Sequence, residues 1–245
     1  MRYLATILFL TALLAGRAPA ADASADFDSA NKLYAEGKYS EAADLYQKIA
    51  AGGAVSPELL FNLGNAEFKA GETGRAIAAY ARAERLAPRD PDVRANLQFA
   101  RNQLPGGDSV RADWCARLLG RLTLNEWAVG ASVCLWVFFG LLALRELRPA
   151  WRGPLRQFTV LAGSAAAVLW LGTAALGFDR HLNPVAVVVN HDAMVRGGPL
   201  DDAQTAFTAR DGAELTVLDV RDDWLQVGDG HQRIGWVKRD AVERL

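Results

Sequence analysis

The sequence predicts a multidomain α plus β chain in three parts: repeated antiparallel helix pairs, two membrane-crossing helices, and a small all-β barrel. Three observations predict it. A 34-residue period runs through residues 23–90, two charge-free apolar runs lie at 127–144 and 158–178, and the segment from 183 onward turns β-branched with closely spaced glycine turns. The composition agrees. Of 245 residues, 51% are hydrophobic and 22% charged, too apolar for a disordered chain and high for a wholly soluble one. A net charge of −1 sets up no field to attract nucleic acid, so no nucleic-acid partner is expected. Two cysteines, Cys115 and Cys134, make no disulfide framework, and three histidines leave little material for a metal site.

Residues 1–20 read as a secretory signal peptide. Met1-Arg2 is a short positive start, Tyr3 to Gly16 is apolar and uncharged, and Ala18-Pro19-Ala20 is an A-x-A cleavage pattern. The apolar run would span about 21 Å as a helix, short of a ~30 Å hydrocarbon core, so a cleaved leader is expected rather than an anchor.

Residues 23–104 form the repeat module, with units at 23–56 and 57–90. Phe27 answers to Phe61, Ala30 to Gly64, Asn31 to Asn65, and Tyr34 to Phe68. Gly37 and Gly71, Ala42 and Ala76, and Tyr46 and Tyr80 keep the same offset. A 34-residue period of this kind is the tetratricopeptide repeat, two antiparallel helices per unit. The small residues let helix backbones approach, Gly37 and Gly71 stop the first helix of each pair, and Pro88 ends the second unit. Asn96-Leu97 repeats Asn62-Leu63, so residues 91–104 read as a capping helix that stops at Pro105-Gly106-Gly107. About three units are usually needed for stability, so this short stack is expected to lean on a partner surface.

Residues 105–126 are a connector with Trp114, Leu118, Leu119 and Leu122 at helical spacing, which suits either a membrane surface or a protein face. The runs 127–144 and 158–178 would span about 27 and 32 Å, enough to cross a bilayer. Between them, residues 145–157 hold Arg145, Arg148, Arg152 and Arg156 against Glu146 alone, which predicts a cytoplasmic loop. Both larger parts then face the outer, periplasmic side of an inner (cytoplasmic) membrane. Ala162, Gly163, Ala166 and Ala167 could let the second span pack closely.

Residues 183–245 carry strand-like pieces at Val185–Val189, Gln204–Thr208, Leu215–Asp219, Trp224–Val227 and Ile234–Lys238. Turn signals at Arg196–Pro199, Asp211-Gly212 and Asp229-Gly230 separate them, which suggests a barrel of five or six strands. The order of motifs resembles a bacterial SH3 domain: Val195 to Pro199, Phe207 to Gly212, Val217 to Asp219, Asp223 to Val227, and Gly235 to Val237.

No catalytic constellation is present: no phosphate-cradling loop, no zinc-protease motif, no nucleophile elbow. The pairs Asp201-Asp202 and Asp222-Asp223 read as solvated turns. No enzyme activity, metal or cofactor is expected. A binding surface is. Phe27, Asn31 and Tyr34 share one face of the first helix, and Phe61, Asn65 and Phe68 reproduce it, making a partner groove of aromatic bodies and amides. Tyr34 and Phe68 fit the inter-repeat core equally well. On the barrel, Trp224 and Trp236 are either a ligand surface or part of the core.

The order of parts resembles the BatE family, encoded in aerotolerance (bat) operons, through Ser56 to Gly71, Asp92 to Arg101 and the terminal motifs. The resemblance covers nearly the whole chain beyond residue 20. It implies an inner-membrane accessory protein beside von Willebrand factor A-domain proteins and a MoxR-type ATPase, with a role in oxygen or envelope stress tolerance. It carries no catalytic residues. A cell-wall tether binding peptidoglycan through the terminal domain is the second expectation. An assembly factor resembling those of cytochrome c maturation is disfavoured, since no C-x-x-C-H is present.

Overall fold

The computed structural model describes residues 20–104, 120–182, 184–230 and 232–245. The expected leader, apart from Ala20, lies outside the described residues, as do Cys115, His231 and most of the connector, including Trp114, Leu118 and Leu119.

Five helices come first: α1 (Ala20–Ala35), α2 (Tyr39–Ala51), α3 (Pro57–Ala70), α4 (Thr73–Leu86) and α5 (Pro91–Asn102). The caps repeat with the sequence. Ser56 accepts from Leu59 N at the start of α3, Asp90 accepts from Asp92 N and Val93 N at the start of α5, and each cap is followed by proline at the first helical position. Gly71 closes α3 at φ +92°, left-handed backbone that costs a side chain but not glycine. Ala30, Ala42 and Ala76 are fully buried, and a Cβ on Gly64 would stand 2.6 Å from the Tyr80 ring. The two helices of the second pair therefore pack at backbone-limited distance. The core is Tyr46, Ile49, Leu59, Leu60 and Leu63 with the alanines between them.

Two long helices follow, α6 (Leu124–Leu147) and α7 (Arg156–Leu182), each extending past its charge-free run. Thr123 and Glu126 form a reciprocal capping box at the start of α6. Both helices are long and apolar enough to cross a membrane; their most apolar windows are only 6% and 17% buried within the chain. They pack as an antiparallel hairpin in which aromatic rings meet glycine. A Cβ on Gly163 would meet the Phe138 ring at 3.0 Å, and one on Gly172 the Trp127 ring at 2.6 Å. Of the small residues expected at this seam, Ala166 is buried and Ala167 is exposed.

The terminal part is one antiparallel sheet of seven strands: β1 (Val185–Val188), β2 (Ala193–Arg196), β3 (Thr205–Ala209), β4 (Glu214–Arg221), β5 (Trp224–Gly228), β6 (Ile234–Lys238) and β7 (Val242–Arg244). The order is β3-β2-β6-β5-β4-β1-β7. The expected barrel closure is not found: β3 and β7 are the two edges. The sheet curls instead, so that Phe207 of β3 and Val242 of β7 share one core with Val188, Val195, Leu215, Leu225, Val227 and Val237. Strands β2 and β7 were not expected. Each is only three or four residues long, and arginine or glutamate interrupts its apolar pattern.

Candidate functional site

The first helix of each pair supplies the groove face. Phe27, Asn31 and Tyr34 of α1 and Phe61, Asn65 and Phe68 of α3 are all half-buried. Their inner edges serve packing. Phe27 lies 5.8 Å from the Tyr46 ring, Phe61 lies 6.0 Å from Tyr80, and Tyr34 makes an edge contact with Tyr39 at 5.2 Å. Phe68 meets Phe99 edge-on at 5.6 Å.

The two asparagines sit at equivalent nodes. Asn31 Oδ1 accepts from the Tyr46 hydroxyl at 2.7 Å and from Asn62 Nδ2 at 3.2 Å. Asn65 Oδ1 accepts from the Tyr80 hydroxyl at 2.7 Å and from Asn96 Nδ2 at 3.0 Å. Each node ties the first helix of a repeat to its own second helix and to the first helix of the next. Tyr46 and Tyr80 are 1% and 2% exposed, so a hydroxyl without this partner would be buried unpaired. The asparagine carbonyls are thus committed to the stack, which leaves the Nδ2 ends as the groups without a hydrogen bond among the described residues. The sequence reading missed Asn62 and Asn96 as partners. It also missed Phe99, which is 55% exposed and extends the aromatic stripe one repeat further. The period did not hold that signal, since Phe99 follows Asn65 by 34 residues and so stands where the repeat predicts an amide.

The opposite side of the stack is occupied by the sheet. Helix α4 has no side-chain cap of its own; Gly74 N donates instead to Asp211 Oδ2, at 3.0 Å, from the β3–β4 turn. Burial pushes the Asp211 carboxyl up, partly offset by that N–H. Gly74 permits the approach: a Cβ there would lie 2.1 Å from Asp211 Oδ1 and 2.3 Å from Val188 O. Gly212, at φ +72°, packs in the same way against Leu104 and Ile77. Arg101 donates through Nε and Nη2 to Glu214 Oε1 at 2.8 and 2.5 Å, and Arg82 pairs with Glu243 at 2.7 Å. Val187 completes an apolar cluster with Ile77, Tyr80, Leu97 and Ala100. The partner surface that a short stack requires is therefore supplied within the chain. Nearer the hairpin, Arg89 pairs with Glu126 of the α6 capping box.

On the sheet, Trp224 and Trp236 belong to the face opposite the apolar core. Trp224 opposes Lys238 and Trp236 opposes Gln226, while Leu225 and Val227 point inward. Lys238 Nζ lies 5.6 Å from the Trp224 ring centre, and the Arg221 guanidinium lies 5.1 Å from that of Trp236. Trp224 is half-buried and Trp236 is 6% exposed. Among the described residues no group of three metal-ligating side chains occurs.

Residues 33–98 match the family described as tetratricopeptide repeat, whose helix pairs are typically protein-interaction modules without catalysis. No curated protein matches the chain.

Proposed function

We propose that the protein is a non-enzymatic membrane scaffold that docks partner proteins in the repeat groove, with its two larger modules on the outer face of an inner membrane. The observation that carries this reading is the division of the repeat stack. The sheet covers α4 and the end of α5, while among the described residues the aromatic and amide side chains of α1 and α3 stay half-buried and Phe99 of α5 is 55% exposed. Direct contact between the modules supports their sharing one compartment, as a two-span hairpin requires. The resemblance to the BatE family supplies the candidate partners: von Willebrand factor A-domain membrane proteins and, through them, a MoxR-type ATPase, in oxygen or envelope stress tolerance. The test is capture of such a partner by the solubilised full chain. Phe99→Ser, at an exposed position, should lower capture at least about tenfold, the scale of a groove aromatic, and leave the fold intact. Equal capture by the variant would refute the groove.

A second reading has its own support. Trp224 is half-buried on the sheet face opposite the apolar core, beside Lys238, an arrangement suited to a polymer or peptide ligand, while Trp236 is 6% exposed and supports the sheet behind it. Co-sedimentation with purified peptidoglycan sacculi, lost on Trp224→Ala, would favour a cell-wall tether.

A further inference from the structure

The turn that joins α6 to α7 holds a concentration of charge that neither the groove nor the sheet explains. We propose that it binds the headgroup of an anionic phospholipid, with the first acyl carbons lying along the opening turns of α7. The proposal rests on the reading of α6 and α7 as membrane spans.

Four arginines, Arg145, Arg148, Arg152 and Arg156, stand within twelve residues of each other against the single acid Glu146. Arg152 is partly committed: its Nη2 donates to Glu146 Oε2 at 3.0 Å and its Nε to Arg145 O at 3.3 Å. Arg148 and Arg156 are exposed and make no ion pair among the described residues. The Nε of Arg145 is buried without a hydrogen-bond partner. A cation excess held this way, with donors to spare, favours an anion over a zwitterionic headgroup.

The adjoining surface has the matching shape. An open depression of about 690 Å³ is lined by Gly153, Pro154, Arg156, Gln157, Val160, Leu161 and, at its far end, Ser164. Its lining passes from guanidinium and amide to aliphatic within two helical turns, in the order in which a phospholipid passes from phosphate to chain. Val160 and Leu161 are 61% and 68% exposed, and nothing among the described residues covers them. Gly153 and Pro154 leave room where a headgroup would sit, and the start of α7 adds the positive end of a helix. Trp151 is exposed in the 3₁₀ turn Pro149–Trp151, at the level where tryptophan anchors at a bilayer surface. A free phosphate would use only the arginine end. The exposed Val160 and Leu161 beside the arginine end commit the site to a lipid.

The test uses the full chain. Flotation with vesicles of phosphatidylcholine, and of equal phosphatidylcholine and phosphatidylglycerol, establishes insertion. Native mass spectrometry after release from mixed nanodiscs then counts retained lipids. Retained phosphatidylglycerol should exceed phosphatidylcholine by about tenfold or more, given several-fold per arginine. The triple variant Arg148→Gln, Arg152→Gln, Arg156→Gln should abolish that preference, and its lysine counterpart should keep most of it. Three glutamines at the exposed Arg75, Arg94 and Arg244 should leave it unchanged. Inorganic phosphate in millimolar excess should not displace the retained lipid. A chain that floats yet retains both lipids equally, or a glutamine variant that keeps its phosphatidylglycerol, overturns the proposal. Retention that phosphate abolishes marks an anion site without lipid character and overturns it too. A chain that floats with neither vesicle overturns the membrane reading and the proposal with it.

Discussion

Glu67 allows the energetics of the repeat module to be tested against pH. It lies on α3 at 5% exposure, where the fold gives a carboxylate little water. Burial pushes its pKa up to about 7; Arg75 pulls it down, and Glu72, Asp44 and Glu243 push it further up. The folded chain therefore holds a proton between pH 4.5 and 7 that the unfolded chain releases. Stability from this group is full below the unfolded pKa and is lost as pH rises through 7. A gap of that size is worth about 3 kcal/mol at pH 8 and below about 1 kcal/mol at pH 5. Glu67→Gln has nearly the same shape and no charge to bury. It should raise the thermal midpoint of the repeat module by roughly 12–24 °C at pH 8. At pH 5 most of that gain should vanish. The assay is the helical circular dichroism of the detergent-solubilised full chain, melted at both pH values beside the unsubstituted protein. A gain of equal size at both, or a loss at pH 8, would refute the claim that burying this charge costs the fold anything.

Other consequences follow from the contacts between modules and within the stack. Glu214→Gln weakens the pair to Arg101, in which the glutamate side chain is 8% exposed, and should cost about 2–3 kcal/mol, read as faster amide exchange in α5 and β4 together. Gly74→Ala places a methyl group against Asp211 and Val188 and should undock the sheet from α4 while both modules keep their secondary structure; limited proteolysis of the β3–β4 turn reports it. Asn65→Ala leaves the Tyr80 hydroxyl and the Asn96 amide unpaired and should lower stability by about 1–3 kcal/mol in denaturant melts, with Asn31→Ala close behind. Phe99→Ser gives up the edge contact with Phe68 and should change those melts by no more than about 1.5 kcal/mol, leaving the chain folded under the capture conditions, which separates groove function from stack integrity.

Local signals carried much of the architecture. The 34-residue period and its punctuation by Gly37, Gly71 and Pro88 are local signals, so the helical repeats were legible before any contact was known. The apolar runs were legible for the same reason. Strands β2 and β7 were not, because three or four residues with an arginine or glutamate among them give no alternation to detect. The open edge of the sheet depends on how far its strands curl, which no residue pattern states. The docking of sheet on helices is the extreme case. Asp211 caps a helix through Gly74, 137 residues earlier, and Gly74 reads locally as a weak helix residue until Val188 and Asp211 stand against it. Within the groove, the recurrence of Asn31 and Asn65 was visible, but not how they are bonded. That required seeing that Tyr46, Asn62 and their successors recur with them and converge on one oxygen.

The central claim is that helical repeats and sheet form one docked unit on a single side of a membrane crossed twice. The most direct measurement is labelling of single cysteines by a membrane-impermeant maleimide in intact cells, with the native cysteines replaced by serine. Gln47→Cys on α2 and Asp202→Cys before β3, both exposed, should label from outside, and Ala150→Cys in the turn between α6 and α7 only after lysis. Labelling that separates Gln47→Cys from Asp202→Cys, one outside and one within, would contradict it.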